Sequence, residues 1–312
     1  MDMSWFDPRP YQGDTDLALM RQILTCGRQV GGLAYYVHVG DLNWWLFYLH
    51  QELDREKTIF IWDGPDPDAE ARGWFLFSPD YGSFDLFIHP RSRAGVQVWS
   101  MLQWAVAQAT RMVRAGGGDQ VSTMWIAEQD GPFITGLEEQ GFKRGNDYLL
   151  HMVRPLEETV PPAPLPSGYR VRHVAGEHEA AQRAVASHAA FASSWSFEHY
   201  LERYIAFMRA PVYVPDLDLM VVTPEGRCAA FCICWLDPVN RVGLFEPVGT
   251  HPEYQRRGFA KAVLAEGLRR MRAGGMRQAA VCVDHDNLGA QRLYTSLGFQ
   301  PATEILQFVK RL

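Results

Sequence analysis

Two stretches of this 312-residue chain combine residue types and spacings that could do chemistry. The first is Thr250 to Ala260, THPEYQRRGFA. It lies between an alternating apolar run, Arg241 to Val248, and a run with helical spacing, Lys261 to Met271, in which Val263, Leu264, Leu268 and Met271 recur. A strand, a turn at Gly258 and a helix start leave several backbone N–H groups unpaired, with the positive end of the helix dipole behind them. Arg256 and Arg257 add charge at the same place, so the stretch suits a phosphate group. It matches neither a three-glycine dinucleotide fingerprint nor a lysine-bearing phosphate loop. The second feature is Glu246. The alternation Val242, Leu244, Glu246, Val248 sets a carboxylate among apolar residues, where partial desolvation raises its pKa and fits it to take a proton from an ammonium, directly or through water. The same position also suits plain binding of a substrate cation or pairing with an arginine.

Gln255-Arg256-Arg257-Gly258-Phe259-Ala260 resembles the acyl-CoA pyrophosphate loop of the GCN5-related N-acetyltransferase (GNAT) family. The family pattern is Gln or Arg, two residues, Gly, one residue, then Gly or Ala. A second family segment follows at the expected distance: Asn287, Ala290, Leu293-Tyr294 and Leu297-Gly298-Phe299. The resemblance implies acetyl-CoA as donor, with no metal, and direct attack by a primary amine of a small molecule or peptide in a ternary complex. It implies that Val248, Gly249 and Thr250 hold the pantetheine and the acetyl carbonyl through their backbone, next to Pro247, which cannot donate a strand hydrogen bond. It implies that Gln255, Arg256, Arg257, Gly258, Phe259 and Ala260 take the pyrophosphate. Asn287 then lies near the pantetheine, or caps the helix starting at Leu288. Tyr294 corresponds to the tyrosine beside the thioester sulfur, a phenol able to protonate the departing thiolate. Acceptor recognition is expected from the variable segment after the first helix of this half, with Trp195, Tyr213 and Asp216 as candidates. Other outcomes the resemblance allows are another acyl-CoA, a mycothiol-synthase-like reaction on a cysteinyl pseudo-disaccharide, or a CoA-binding sensor without catalysis.

Net charge is −6, which disfavours nonspecific nucleic-acid binding but suits a cationic, amine-bearing substrate. The apolar fraction of 47% allows sizeable cores, and no apolar run is long enough to span a membrane. MDMSWFDPRP lacks the organisation of a signal peptide. Cys26, Cys228, Cys232, Cys234 and Cys282 form no CxxC pair, which points to reduced thiols and a cytoplasmic protein, monomeric or homodimeric. His251, His285, Asp284 and Asp286 match no ligand spacing, so no metal is expected.

The elements that must position these residues fall into two similar sets. In the first set the patterns predict a helix over 15–27 capped by Asp14, and strands over 33–39 and 43–49 joined by a Gly40-Asp41 turn. Strands over 57–62, 73–77 and 84–89 follow, then a helix over 96–113, a strand over 121–126, a helix over 132–140 and a strand over 146–153. A proline-rich linker, residues 155–168, separates them from a second set. That set has a strand over 169–174, helices over 177–188 and 196–208, and strands over 217–223, 228–236 and 241–248. A helix over 259–272, a strand over 278–283, a helix over 288–297 and a strand over 304–309 complete it. His89-Pro90 repeats as His251-Pro252, and Gly141-Phe142 as Gly298-Phe299. The layout is similar to the tandem acetyltransferases, mycothiol synthase among them. It implies an α/β (α+β) chain with two GNAT folds, each a mixed, mostly antiparallel twisted sheet flanked by helices. The expected division is 1–154, linker 155–168 and 169–312. The first copy carries Arg91-Ser92-Arg93-Ala94-Gly95 where the loop should be, with Leu137 for Tyr294 and Asp130 for Asn287, and is expected to be degenerate.

Overall fold

A computed structural model describes residues 7–32, 36–64, 72–93, 96–157 and 159–312. The first half holds β1 (Arg9–Pro10), α1 (Asp14–Gly31), α2 (Val39–Trp44), α3 (Arg55–Thr58), β2 (Ile59–Trp62), β3 (Gly73–Ser78), β4 (Ser83–Ile88), α4 (Val96–Ala115), β5 (Gln120–Ala127), α5 (Gly131–Glu139) and β6 (Lys143–Pro155). The second half repeats the plan: β7 (Arg170–His173), α6 (Ala180–Ala190), α7 (Phe197–Met208), β8 (Asp218–Val222), β9 (Cys228–Asp237), β10 (Val242–Thr250), α8 (Phe259–Ala273), β11 (Gln278–Asp284), α9 (Leu288–Ser296) and β12 (Gln300–Arg311).

Among the described residues the strands join one twelve-stranded sheet, in the order β1-β2-β3-β4-β5-β12-β6-β11-β10-β9-β8-β7. Pairing is antiparallel except for β4 with β5 and β10 with β11. The halves exchange their last strands. β12 pairs with β5 from Ile305↔Ala127 to Arg311↔Gln120, and β6 pairs with β11 from Gln278↔Pro155 to Asp284↔Leu149. Without its neighbour's strand, each half would expose the open edge of β5 or β11.

Each half packs a helix on its own sheet. Phe259, Val263, Leu264, Leu268 and Met271 of α8 cover Phe245 and Val281, and Leu102, Val106 and Val113 of α4 cover Phe75 and Phe84. A third core is shared, with Met20, Leu24, Leu42, Trp44 and Tyr48 packing against Tyr204, Phe207 and Trp235.

The largest departure from the sequence expectation falls on 43–49, which is helical rather than a strand. (Residues 33–35 and 65–71, and Ala94 and Gly95, lie outside the described residues.) His38 and Asp41 form a capping box: His38 Nδ1 accepts from Gly40 N at 2.9 Å, and Asp41 Oδ2 accepts from His38 N at 2.7 Å. A π-helical turn, Trp45–Leu49, continues α2. Trp44 stacks on Tyr48 with centroids 4.0 Å apart, and Arg203 of α7 donates to the Tyr48 and Leu49 carbonyls that end the turn. Aromatic residues favour strands only when a pleated surface receives them; here the caps and the second half receive a helix. α2 lies so close to β9 that a Cβ on Gly40 would fall 2.4 Å from Trp235. Asp14 is the first helical residue rather than the cap, which is Gly13; Asp16 instead takes Arg9 in a two-pronged ion pair.

Because strands and a core are shared, urea unfolding followed by tryptophan fluorescence and by far-ultraviolet circular dichroism should give one coincident transition. Separate midpoints would show that the halves fold independently.

Candidate active site

The site begins where two strands part. β10 and β11 pair only at Val242↔Gln278, Gly243↔Ala279 and Leu244↔Ala280, and then diverge. On its other edge β10 carries a bulge: Phe245 faces Cys234, but Val248 faces Cys232. Glu246 and Pro247 form the bulge, joined by a cis peptide bond. Trp235 Nε1 donates to the Glu246 carbonyl at 2.7 Å and fixes it.

The gap widens into two adjoining clefts that share Val248, Asn287, Ala290 and Tyr294. The larger, about 590 Å³, runs between Val248–Thr250 and the start of α8 on one side and α9 on the other. Gly258 stands at the N-cap of α8 with φ 81°, a left-handed conformation that favours glycine, and no side chain caps the helix. Its first-turn N–H groups therefore meet the cleft, beside Gln255 and Arg256. Arg257 turns away: its guanidinium lies 5.1 Å from the Phe259 ring centroid and bonds the Tyr169 hydroxyl at 3.2 Å. Phe259 has its ring in the core. Asn287 caps α9, its Oδ1 accepting from Ala290 N at 3.0 Å, and it also lines the cleft.

The second cleft, about 360 Å³, has Glu246 and Tyr294 in its wall. Burial, then Asp41 and Asp284, push the Glu246 carboxyl up to about 8. Burial, then the Glu246 carboxylate, raise the Tyr294 phenol, which stays protonated at neutral pH. The far wall comes from the first half: Asp41, Trp45 and Leu49, together with Trp125 and Leu149. Sequence reasoning missed all of these. The spacing of four from Asp41 to Trp45 to Leu49 was the available signal, since it sets them on one helical face. Burial, opposed by the His38 N–H and by Arg28, pushes Asp41 up to about 7.

The expected acceptor residues line neither cleft. Trp195 stacks on the Arg203 guanidinium at 4.4 Å. Tyr213 donates to Asp218 Oδ2 at 3.3 Å. Asp216 is exposed, 3.6 Å from His173 Nδ1. Among the described residues no group of three or more His, Cys, Asp or Glu could hold a metal, and no helix is long and apolar enough to cross a membrane.

Among the described residues of the first half, larger side chains occupy the equivalent region. Phe133, at the place of Ala290, is buried, and Leu137 replaces Tyr294 in the core. Trp99 of α4 lies directly on Gly136. Arg93 pairs with Asp130 and stacks 4.8 Å above Phe133, tying the loop to the start of α5.

Residues 183–299 match the Acetyltransferase (GNAT) family. A GCN5-related N-acetyltransferase from Sphaerobacter thermophilus superposes with TM-score 0.67 at 20% identity, covering 99% of this chain and 96% of that one. A tandem GNAT protein from the clavulanic acid biosynthesis pathway gives 0.68 at 14% identity, covering 98% of each. The chain has the GNAT acetyltransferase fold. In sequence it is 26% identical over 272 residues to the mycothiol acetyltransferase of Saccharomonospora viridis, covering 83% of this chain and 86% of that protein. The chain is an acyl-CoA-dependent acetyltransferase, with a mixed, mostly antiparallel sheet flanked by helices in a tandem arrangement.

Gly258→Asp sets a side chain in a left-handed conformation and a negative charge at the helix N-terminus. Strain of about 1–2 kcal/mol plus repulsion of the anion should weaken CoA binding by at least about 100-fold in calorimetry. Unchanged affinity would remove the anion-site reading of this GNAT loop.

Proposed function

We propose that the second half, residues 169–312, transfers the acetyl group of acetyl-CoA to a primary amine. The acceptor we infer is a cysteine-bearing glycosyl amine, of the kind mycothiol acetyltransferases use. The observation that carries the transfer is the meeting of Glu246 and Tyr294 in one cleft at the parting of β10 and β11. Similarity to a mycothiol acetyltransferase over most of both chains supports the acceptor class.

In this reading the larger cleft holds the donor. The first-turn N–H groups of α8, with Gln255 and Arg256, take the pyrophosphate, while the backbone of Val248 to Thr250, released from β11, takes the pantetheine and the thioester carbonyl. The acceptor amine comes from the smaller cleft. Glu246 removes its proton, the free amine attacks the thioester carbonyl, and the tetrahedral intermediate expels the CoA thiolate. Tyr294, a neutral phenol, supplies that thiolate with a proton, and the proton that the nitrogen sheds as the amide forms restores the phenol. Arg257 contributes by packing the loop on Tyr169 and Phe259, and Phe259 by anchoring it. The first half, residues 1–154, keeps the fold, and among its described residues Phe133, Leu137 and Trp99 occupy the place of a donor cleft.

Glu246→Gln should lower kcat by about 10²–10⁴-fold. The sign of the pH effect follows from a base that works only when deprotonated. Wild-type kcat should rise as pH rises through about 8, and the variant should lose that limb. A variant that keeps the limb shows that another group is the base. Tyr294→Phe should lower kcat by about tenfold or more while leaving the acetyl-CoA dissociation constant unchanged; equal rates at every pH would exclude the acid role. Both are measured by chromatography of the N-acetylated product from N-(L-cysteinyl)-glucosamine. Acetylation of other amines but not of this one would overturn the acceptor class.

A further inference from the structure

The acceptor cleft contains a carboxylate that the transfer chemistry does not use. Asp41 is only 5% exposed, and it lines the cleft with Glu246 although it belongs to the other half of the chain. Its Oδ2 is taken by the His38 N–H at 2.7 Å, while Oδ1 has no hydrogen bond among the described residues. Oδ1 is not one of the buried polar atoms left without a partner, so it opens to the cleft, where water or a ligand can meet it. The nearby buried cation acts on Asp41 through its charge alone: Arg28 Nη1 donates to the Tyr36 carbonyl at 2.6 Å, and Arg28 Nε and Nη2 have no hydrogen-bond partner among the described residues.

The surroundings say what would meet it. The ionisable side chains in the cleft wall are Asp41 from α2, Glu246 from β10, Cys282 and Asp284 from β11 and Tyr294 from α9, with no lysine or arginine among the described residues. Behind Asp41 lie Arg28 of α1, His38 before α2 and His151 of β6; burial first, then Arg28, push His38 down to about 3 and His151 to about 4, so both are neutral at pH 7. Asp284 is exposed, where water screens its charge. Beside Asp41 stand two indoles, Trp45 and Trp125, with centroids 5.5 Å apart. Trp125 has φ 65°, a rare conformation for a bulky residue, at an irregularity of β5 where Ile126 faces Leu306 but Thr123 faces Phe308. Such bulges re-aim side chains, here into the acceptor cleft. An acidic pocket with an aromatic wall suits an ammonium attached to a ring or apolar body.

We propose that Asp41 is a second ammonium-binding carboxylate of the acceptor site, receiving the protonated amine through Oδ1 and holding it beside Glu246, with Trp45 and Trp125 against the body of the acceptor. The proposal deepens the acetyl-transfer reading and rests on its choice of acceptor cleft. The capping role of Asp41 needs one oxygen, which asparagine also offers, so Asp41→Asn removes the charge and keeps the helix start.

The test compares N-(L-cysteinyl)-glucosamine with its desamino counterpart, N-(3-mercaptopropanoyl)-glucosamine, binding to the CoA-saturated full chain. Calorimetry at about pH 7.5 keeps most of the amine protonated and most of Asp41 ionised. The wild type should prefer the amine by about tenfold or more, as expected of a desolvated charge pair. Asp41→Asn should reduce the preference to within about twofold, with unchanged melting temperature and CoA affinity, and Asp41→Glu should restore part of it. A preference that survives Asp41→Asn, or a wild type that binds both probes equally or neither, overturns the proposal. Glu246→Gln should keep most of the preference while losing transfer. An amine preference that depends on Asp41 in a chain transferring no acetyl group would sustain the site and sink the transfer reading.

Discussion

The parting of β10 from β11 is the constraint on which the rest of the structure depends. Strands that stop pairing leave backbone N–H and C=O groups that something must satisfy. After Leu244↔Ala280 the sheet leaves that task open, and the bulge at Glu246-Pro247 turns the strand so that the gap widens. The start of α8 and the capped start of α9 then face each other across the gap. The first half makes the same move, since β4 and β5 pair only at Ser83↔Ser122, but there Phe133, Leu137 and Trp99 fill the space. One backbone device has two outcomes, decided by side-chain size.

The first half also shapes the cleft of the second. The exchange of β6 and β12 fixes the two halves in register, and α2 is pressed against Trp235 with its C-terminal carbonyls held by Arg203. That arrangement carries Asp41, Trp45 and Leu49 to the mouth of the other half's cleft. It also buries ionisable groups at a cost. Glu246 and Asp41 both have raised folded pKa values, so the stability they contribute is full below the ordinary carboxylate range and is lost as pH rises through about 7 to 8. His38 and His151 act in the opposite sense, destabilising the fold as pH falls below the ordinary histidine value. Function and stability compete at the same interface.

How much of this was legible in the sequence depended on whether the signal was local. The Gln255–Ala260 loop, the cap at Asn287 and the spacing to Tyr294 are local, and the structure brings Asn287, Tyr294 and every loop residue but Arg257 to one cleft. Arg257 and Phe259 sit in the same motif, yet their side chains serve packing, because a motif reports backbone conformation more directly than side-chain direction. The aromatic run 43–49 read as a strand since a capping box through His38 is not a usual helix start. Trp125 was hidden for a different reason: nothing in the sequence marks a tryptophan with positive φ. Trp195, Tyr213 and Asp216 were aromatic or acidic residues in a variable segment, and their partners Arg203, Asp218 and His173 claim them. The strand exchange was beyond reach, because two similar edges offer a last strand nearly equivalent places and only the packed halves decide between them.

The central claim is that one chain keeps one donor cleft and uses its other copy as the acceptor wall. The most direct measurement is the stoichiometry of acetyl-CoA binding to the full chain by isothermal titration calorimetry. The account predicts one acetyl-CoA per chain. Two per chain would contradict it, because the space occupied by Phe133, Leu137 and Trp99 would then have to open.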